Sequence, residues 1–154
     1  MITRDPVQPV SLLLAEDDKD DRFFFKNALS KISVPTVLWT VENGSDLMIY
    51  LKQHKKNLPD ALFLDLNMPR KNGFECLAEI KADKDLKKLP VIMNSTSLPD
   101  TAADTLYSLG AHYYMRKTNL TDLGTLLHKV LTMLQNNAFV RPHKEQFILE
   151  VKKL

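Results

Sequence analysis

The sequence contains a single cysteine, Cys76, among its 154 residues. One thiol cannot form an internal disulfide, and the position of this residue in an apolar stretch with helical spacing predicts a buried free thiol. Nothing in the sequence therefore requires an oxidising compartment.

Long apolar runs are also missing, and the first residues carry no basic-then-apolar signal pattern. The apolar run at residues 10–15 is short and leads directly into acidic residues, and no segment approaches the length that spans a bilayer. These absences disfavour exported and membrane proteins. We expect a cytoplasmic protein without a membrane partner.

Neither sign of charge predominates, because the formal net charge is only +2. The lysines are scattered or stand in short groups. A nucleic-acid footprint needs basic side chains clustered on one face, so we expect no nucleic-acid partner. The composition is that of a globular protein, with 44% hydrophobic and 26% charged residues. We predict one compact domain over residues 10–136, preceded by a flexible arm over residues 1–9 and followed by an extension over residues 137–154.

Four apolar runs bounded by polar residues predict strands at residues 10–15, 61–66, 91–94 and 113–116. The alternation of Val37, Trp39 and Val41 predicts a half-exposed strand at residues 37–41. Helical periodicity follows each strand, and the last helix is predicted over residues 120–134. Strands that alternate with helices through short connections require a parallel sheet with helices on both faces. We therefore predict an α/β fold with a doubly wound, five-stranded parallel sheet of order 2-1-3-4-5.

Polar side chains stand at the ends of four of these strands. Glu16 and Asp17 follow the first, Asp65 the third, Ser95 the fourth and Lys117 the fifth. In doubly wound sheets ligands bind outside the carboxyl ends of the strands, so these side chains should lie close together. Clustered carboxylates repel one another unless a cation is present, and Mg²⁺ prefers oxygen ligands. The pattern predicts a magnesium site that also accommodates a phosphoryl group.

A zinc site is not indicated, because the four histidines lie far apart and lack ligand spacing. They are His54, His112, His128 and His143.

With a cation neutralising the incoming charge, Asp65 can act as a nucleophile toward phosphorus and form an aspartyl phosphate. Lys117 would supply a positive charge, and Ser95 a hydroxyl to a phosphate oxygen. Taken singly, Ser95 also fits a strand-end cap and Lys117 an exposed lysine. The prediction depends on the residues acting together.

Four motifs in this order and spacing resemble the receiver domain of response regulators, the CheY-like phosphoacceptor domains of two-component signalling. The motifs are Leu14-Ala15-Glu16-Asp17-Asp18, the stretch from Asp65 through Gly73, the stretch from Leu89 through Ser95, and the stretch from Gly110 through Lys117. The resemblance covers about residues 10–134 and implies a flavodoxin-like fold. Within the family, the chain looks most like single-domain receivers associated with phytochrome-type sensor kinases.

The resemblance also implies roles for individual residues. Glu16 and Asp17 would form the metal-binding pair, Asp65 would accept the phosphoryl group, and Asn67 would lend its backbone carbonyl to Mg²⁺. Ser95 stands where the family keeps a hydroxyl that contacts phosphate, and Lys117 where it keeps its lysine.

Two further positions match switching and tuning residues of the family. Tyr114 corresponds to the switch aromatic, whose inward or outward rotamer follows the hydroxyl of Ser95. Asn67 and Ser97 occupy the positions that flank the phosphoryl group and tune its hydrolysis.

Thr118 departs from the family pattern, which commonly has proline after the lysine, often with a cis peptide bond. A cis bond before a non-proline residue costs about 3 kcal/mol, so we predict a trans link between Lys117 and Thr118.

The implied function is a stand-alone switch rather than a conventional enzyme. It would take a phosphoryl group from a sensor histidine kinase or phosphotransfer protein, catalyse its own phosphotransfer and dephosphorylation, and alter the face formed by its fourth helix, fifth strand and fifth helix. A downstream protein would read that face. The alternative is an adaptor that binds partners without phosphorylation, for which a damaged site would be expected.

Two enzyme-like or carrier classes fit less well. An aspartyl hydrolase usually needs a second acid shortly after the nucleophile, where this chain has Asn67. A flavodoxin-like cofactor carrier needs a phosphate-cradling loop after the first strand, where this chain has a stretch over residues 16–21 that is acidic except for Lys19.

The extension carries enough apolar side chains to require a cover. Pro142 can start a short helix, or residues 147–151 can form a strand. The segment either folds over its own domain or reaches across a homodimer, and the sequence leaves both open.

Overall fold

A parallel sheet of six strands, in the order β2-β1-β3-β4-β5-β6, organises the protein. The computed structural model describes residues 8–96, 100–117 and 119–151. The strands are β1 Val10–Ala15, β2 Thr36–Val41, β3 Ala61–Asp65, β4 Val91–Ser95, β5 Tyr113–Arg116 and β6 Ile148–Leu149. The helices are α1 Lys19–Ser30, α2 Gly44–Gln53, α3 Gly73–Ala82, α4 Asp100–Ser108 and α5 Leu120–Gln135.

The prediction of five strands was wrong, because the extension adds a sixth. Residues 144–146 form a single 3₁₀ turn, and Ile148 and Leu149 then pair in parallel with Tyr114 and Met115 of β5. Without β6, β5 would present unpaired backbone groups at the edge of the sheet. The order 2-1-3-4-5 and the α/β class are confirmed for the strands that were predicted.

The alternation of side chains along β1 explains why helices cover both faces. Leu12 and Leu14 join one apolar cluster, whereas Leu13 and Ala15 join the other. Successive residues of a strand point to opposite faces, so a run that is apolar at every position needs cover on both sides. The first cluster contains the buried residues of α1 and α5, and the second contains those of α2, α3 and α4. Cys76 lies buried in the second cluster as a free thiol, as predicted.

Among the residues that the structure describes, four helices begin at side chains that accept hydrogen bonds from their own first turn. These N-caps are Asp18 for α1, Asn43 for α2, Asn72 for α3 and Asn119 for α5. Such caps typically stabilise a helix by about 1 kcal/mol each. Each cap lies in the connection that leaves the carboxyl end of a strand. The caps therefore also fix the loops at the carboxyl edge of the sheet.

Within the described residues, no helix is both long enough and apolar enough to cross a membrane.

His112 lies beneath the extension, at the amino end of β5. Its Nδ1 accepts a hydrogen bond of 3.4 Å from the Val91 N–H, and its ring stacks on Phe139 at 5.6 Å. Burial lowers the pKa of His112 from 6.5 to about 4, and the charges of Lys81 and Arg141 act in the same direction. The folded protein therefore favours the neutral imidazole.

This pKa predicts a loss of stability in acid. As the pH falls, the imidazole of the unfolded chain takes up its proton near pH 6.5, whereas that of the folded protein does so only near pH 4. The stabilisation that comes from the neutral His112 is therefore complete above pH 6.5 and is lost as the pH falls toward 4. We expect His112 to account for about 2 kcal/mol of acid destabilisation, measured by urea unfolding across that window. His112→Gln should flatten this part of the profile, and His128→Gln, at an exposed position, should not. Parallel profiles for wild type and His112→Gln would show that His112 is not responsible.

Candidate functional site

Three carboxylates meet at the carboxyl edge of the sheet. Glu16 and Asp17 follow β1, and Asp65 ends the adjacent strand β3. One carboxylate oxygen from each lies within 4.8 Å of the other two. Glu16 is only 2% exposed and Asp65 4%, whereas Asp17 is open to solvent. The predicted acidic residues are therefore brought together in a half-open notch.

The short connection from β1 to α1 fixes the position of Glu16. The Asp18 N–H donates to Glu16 Oε2 at 3.2 Å, and the Asp18 carboxylate caps α1. The Arg22 guanidinium donates to the Glu16 carbonyl at 2.8 Å and also pairs with Glu42 at 3.2 Å. Both ends of the loop are thus tied to the first turn of α1.

Lys117 joins the acidic residues from the other side of the notch. Its Nζ lies 2.6 Å from Glu16 Oε1, 3.0 Å from Asp21 Oδ2 and 3.6 Å from Asp65 Oδ1. The backbone N–H of Lys117 donates to the Ser95 carbonyl at 2.7 Å, which continues the pairing of β4 and β5 beyond Arg116. One ammonium therefore faces three carboxylates.

Burial and the neighbouring charges shift the pKa values of the side chains in the notch. Burial raises the pKa of Glu16 from 4.5 to about 7; the hydrogen bond from Lys117 opposes the rise and the charge of Asp65 adds to it. Burial also raises the pKa of Asp65, against the charge of Lys117. For Lys117 burial disfavours the charge, but hydrogen bonds to Glu16 and Asp21 and the charge of Asp65 leave its pKa raised. Without a bound cation, Lys117 is the cation that pairs with these carboxylates, and Glu16 and Asp65 keep their protons to a higher pH than exposed carboxyl groups do.

Ser95 ends β4 at the carboxyl edge of the sheet, on the strand next to the one that ends at Asp65, and Tyr114 lies on β5 beside it. Tyr114 belongs to the cluster that α2, α3 and α4 cover. The Tyr114 hydroxyl donates to the Ser95 carbonyl at 3.2 Å, and its ring is fully buried. The two predicted switch residues are therefore in direct contact, with the tyrosine inward.

The loop after β3 folds back so that Gly73 lies against the backbone of Asp65 and Leu66. The Asn67 N–H lies 3.4 Å from Asp65 Oδ1, and the Gly73 N–H donates to the Leu66 carbonyl at 2.9 Å. A Cβ on Gly73 would stand 2.4 Å from the Asp65 carbonyl oxygen, so this close approach requires glycine. Asn67 thus lies beside Asp65. The predictions for Ser97 and for the Lys117–Thr118 link fall on positions outside the described residues.

Two residues of the site were not predicted. Asp21 drew attention in the sequence only as part of the acidic stretch over residues 16–21, yet its carboxylate pairs with Lys117. Asn94 is buried next to Ser95, and its Oδ1 accepts no hydrogen bond from the part of the chain that the structure describes. Strand alternation alone could have placed Asn94, because it is the register partner of Asp65 and shares its face.

Asn94 and Lys117 open onto a cavity of about 320 Å³ between α1 and the sheet. Leu14, Phe24, Phe25 and Leu123 form its apolar wall. The cavity adjoins the carboxylates and extends the notch toward the first helix.

A doubly wound parallel sheet with buried carboxylates and a lysine at its carboxyl edge defines a class of signalling domain. The chain belongs to the response regulator receiver domain family, whose sequence model matches residues 12–130. It is a CheY-like domain of two-component signalling, and the prediction made from the four motifs is confirmed.

Individual relatives narrow the likeness to phytochrome response regulators. The chain is 35% identical over 127 residues to response regulator Rcp1 of Synechocystis sp., covering 79% of this chain and 86% of Rcp1. The phosphorylated cyanobacterial phytochrome response regulator RcpA superimposes with a TM-score of 0.76 at 35% identity, covering 85% of this chain and 97% of RcpA. The Mn²⁺-bound form of Rcp1 superimposes with a TM-score of 0.74 at 31% identity, covering 87% and 99% of the two chains.

Proposed function

We propose that this protein is a phosphoacceptor switch that receives a phosphoryl group on Asp65 in a Mg²⁺-dependent reaction. The observation that carries the proposal is the notch itself, in which Asp65 lies within 4.8 Å of two further carboxylates and 3.6 Å from the Lys117 ammonium. The similar protein RcpA has been crystallised phosphorylated, and Rcp1 with Mn²⁺ bound. Both support the same chemistry here.

The residues present fit a hard divalent cation. All three carboxylates offer oxygen, and burial raises the pKa of two of them, Glu16 and Asp65, so that a cation is needed to hold both in the charged form. Glu16, Asp17 and Asp65 would hold Mg²⁺, with the backbone carbonyl of Asn67 as a further ligand. When bound, Mg²⁺ offsets the negative charge of the notch and of the entering phosphoryl group.

The transfer itself needs alignment and charge stabilisation. A carboxylate oxygen of Asp65 forms a bond to phosphorus while the bond from phosphorus to the donor's imidazole nitrogen breaks, and that nitrogen is released as neutral imidazole after taking up a proton from solvent. Hydrolysis removes the phosphoryl group from Asp65. Water attacks phosphorus, Asp65 leaves as carboxylate, and inorganic phosphate and a proton are released. Both reactions proceed in the protein's own site, so it is a switch with self-catalysed steps rather than a conventional enzyme.

Two side chains would stabilise the product. Lys117 moves its charge from Glu16 and Asp21 toward a phosphoryl oxygen, and the Ser95 hydroxyl donates to another. Because a dianion bonds well to only one arrangement of the loop after β4, its presence shifts an equilibrium between two conformations. Tyr114, hydrogen-bonded to the Ser95 carbonyl, follows that shift.

The output would be read on the face formed by α4, β5 and α5. The phosphodonor is a sensor histidine kinase or phosphotransfer protein, and the reader is a downstream protein rather than nucleic acid or membrane. We place the protein in the cytoplasm, where the free thiol of Cys76 remains reduced.

The test is incubation of the full chain with a small phosphodonor such as acetyl phosphate, followed by intact-mass measurement. We expect one phosphoryl group per chain in the presence of Mg²⁺, and none after chelation with EDTA. Incorporation that is independent of metal would contradict the metal site. No incorporation with either Mg²⁺ or Mn²⁺ would favour the phosphorylation-independent adaptor.

A further inference from the structure

The extension forms a strap, defined as residues 139–149, whose last two residues pair with β5 beside Tyr114, the proposed switch tyrosine. Tyr114 is the register partner of Ile148, and the Tyr114 N–H donates to the Phe147 carbonyl at 3.0 Å. The strap is therefore bonded to the backbone of the residue whose side chain reaches Ser95.

Aromatic packing anchors the strap between α4 and β5. The Phe147 ring is 2% exposed, belongs to the same apolar cluster as Tyr114, and meets the Tyr107 ring edge to face at 5.3 Å. The Tyr107 hydroxyl donates to the Pro142 carbonyl at 2.7 Å, and the Arg141 guanidinium lies 3.8 Å above the same ring. Phe147 thus fills the space between α4 and β5.

This packing restricts Tyr114. Its side chain is fully buried, and the side on which β5 would otherwise form the edge of the sheet is covered by the strap. An outward Tyr114 would leave a void in the closely packed apolar cluster that it shares with Phe147. The strap therefore favours the inward rotamer of Tyr114.

We propose that Phe147 is a positioning residue for the phosphoryl-dependent switch and acts through Tyr114. The inference rests on the proposed function, in which Ser95 moves toward the phosphoryl group and Tyr114 fills the volume behind it. By holding Tyr114 inward, the strap removes part of the conformational cost of accepting the phosphoryl group. Coupling between two sites is reciprocal, so an occupied Asp65 tightens the strap by the same factor.

The affinity for beryllofluoride, a phosphoryl mimic, tests the first half of this coupling. In Mg²⁺, Phe147→Ala should raise the half-saturating beryllofluoride concentration about tenfold, within the range of about 5- to 150-fold typical of coupled sites. Phe147→Leu, which keeps much of the apolar volume, should restore most of the affinity. Leu131→Ala creates a comparable cavity in the cluster on the opposite face of the sheet and should leave the half-saturating concentration unchanged.

Hydrogen exchange tests the reciprocal half. The Tyr114 amide, which the strap protects, should exchange about tenfold more slowly in wild type when beryllofluoride is bound, and this slowing should disappear in Phe147→Ala. Beryllofluoride that binds wild type and Phe147→Ala equally would overturn the positioning role and leave the proposed function intact. Beryllofluoride that fails to bind wild type would overturn both.

Discussion

Asp65→Asn is expected to abolish phosphoryl incorporation while leaving the fold intact. The amide has the shape of the carboxylate but lacks its nucleophilic oxygen, so no acyl phosphate can form. Because burial already disfavours the charge of Asp65, the neutral amide should give equal or higher thermal stability in metal-free buffer. Intact-mass measurement after incubation with acetyl phosphate and Mg²⁺ gives the incorporation, and a thermal melt gives the stability.

A matched replacement separates the phosphoacceptor from acids in general. Asp85→Asn neutralises an exposed carboxylate that pairs with Lys55, far from the notch, and should retain wild-type incorporation. Undiminished incorporation in Asp65→Asn would show that another residue accepts the phosphoryl group.

Lys117→Ala is expected to lower the free energy of unfolding by about 3 kcal/mol at pH 8 without metal, the cost typical of breaking a buried ion pair. The reason is that Glu16 and Asp65 are buried and lose the ammonium that lies 2.6 Å and 3.6 Å from them. Mg²⁺ should stabilise the variant more than wild type, because a cation in the notch neutralises the same carboxylates. Urea unfolding with EDTA and with Mg²⁺ measures the difference.

The matched control is Lys52→Ala, which removes a largely exposed ammonium paired with Glu79 at 3.1 Å. Exposed pairs contribute about 1 kcal/mol or less, and no metal ligand is involved, so the loss should be small and indifferent to Mg²⁺. Equal destabilisation of Lys117→Ala with and without Mg²⁺ would argue that Lys117 and the cation do not share a site.

The sheet could be predicted because its strands are buried on both faces. Residues 10–15 and 61–65 are apolar at nearly every position, and this pattern depends only on local composition. Strand ends then located Glu16, Asp65 and Lys117, since parallel strands bring their carboxyl ends to one edge. The chemistry of the notch thus follows from where each apolar run stops.

Contacts that depend on tertiary packing could not be predicted in this way. Asp21 and Lys117 are 96 positions apart, and only the meeting of α1 with the end of β5 brings them together. A two-residue strand such as β6 is too short for a periodic pattern, so the sequence left residues 147–151 open between helix and strand. Residues 148–149 form a strand because the edge of β5 offers backbone groups with which they can pair.

The strap gives the extension a physical role beyond covering an edge. Its hydrogen bond to Tyr114 and the burial of Phe147 connect the β6 edge of the sheet to Ser95 through Tyr114. The strap pairs with β5 and therefore occupies part of the output face that we propose. Any reader of that face must contact the strap or displace it.

Locating the phosphoryl group in the wild-type protein tests the proposed function most directly. After incubation with acetyl phosphate and Mg²⁺, borohydride reduction converts an aspartyl phosphate to homoserine, which tandem mass spectrometry places in the sequence. The proposed function predicts homoserine at position 65 and at no other acidic position. Homoserine elsewhere, or unmodified Asp65 in protein that has gained a phosphoryl group, would contradict it.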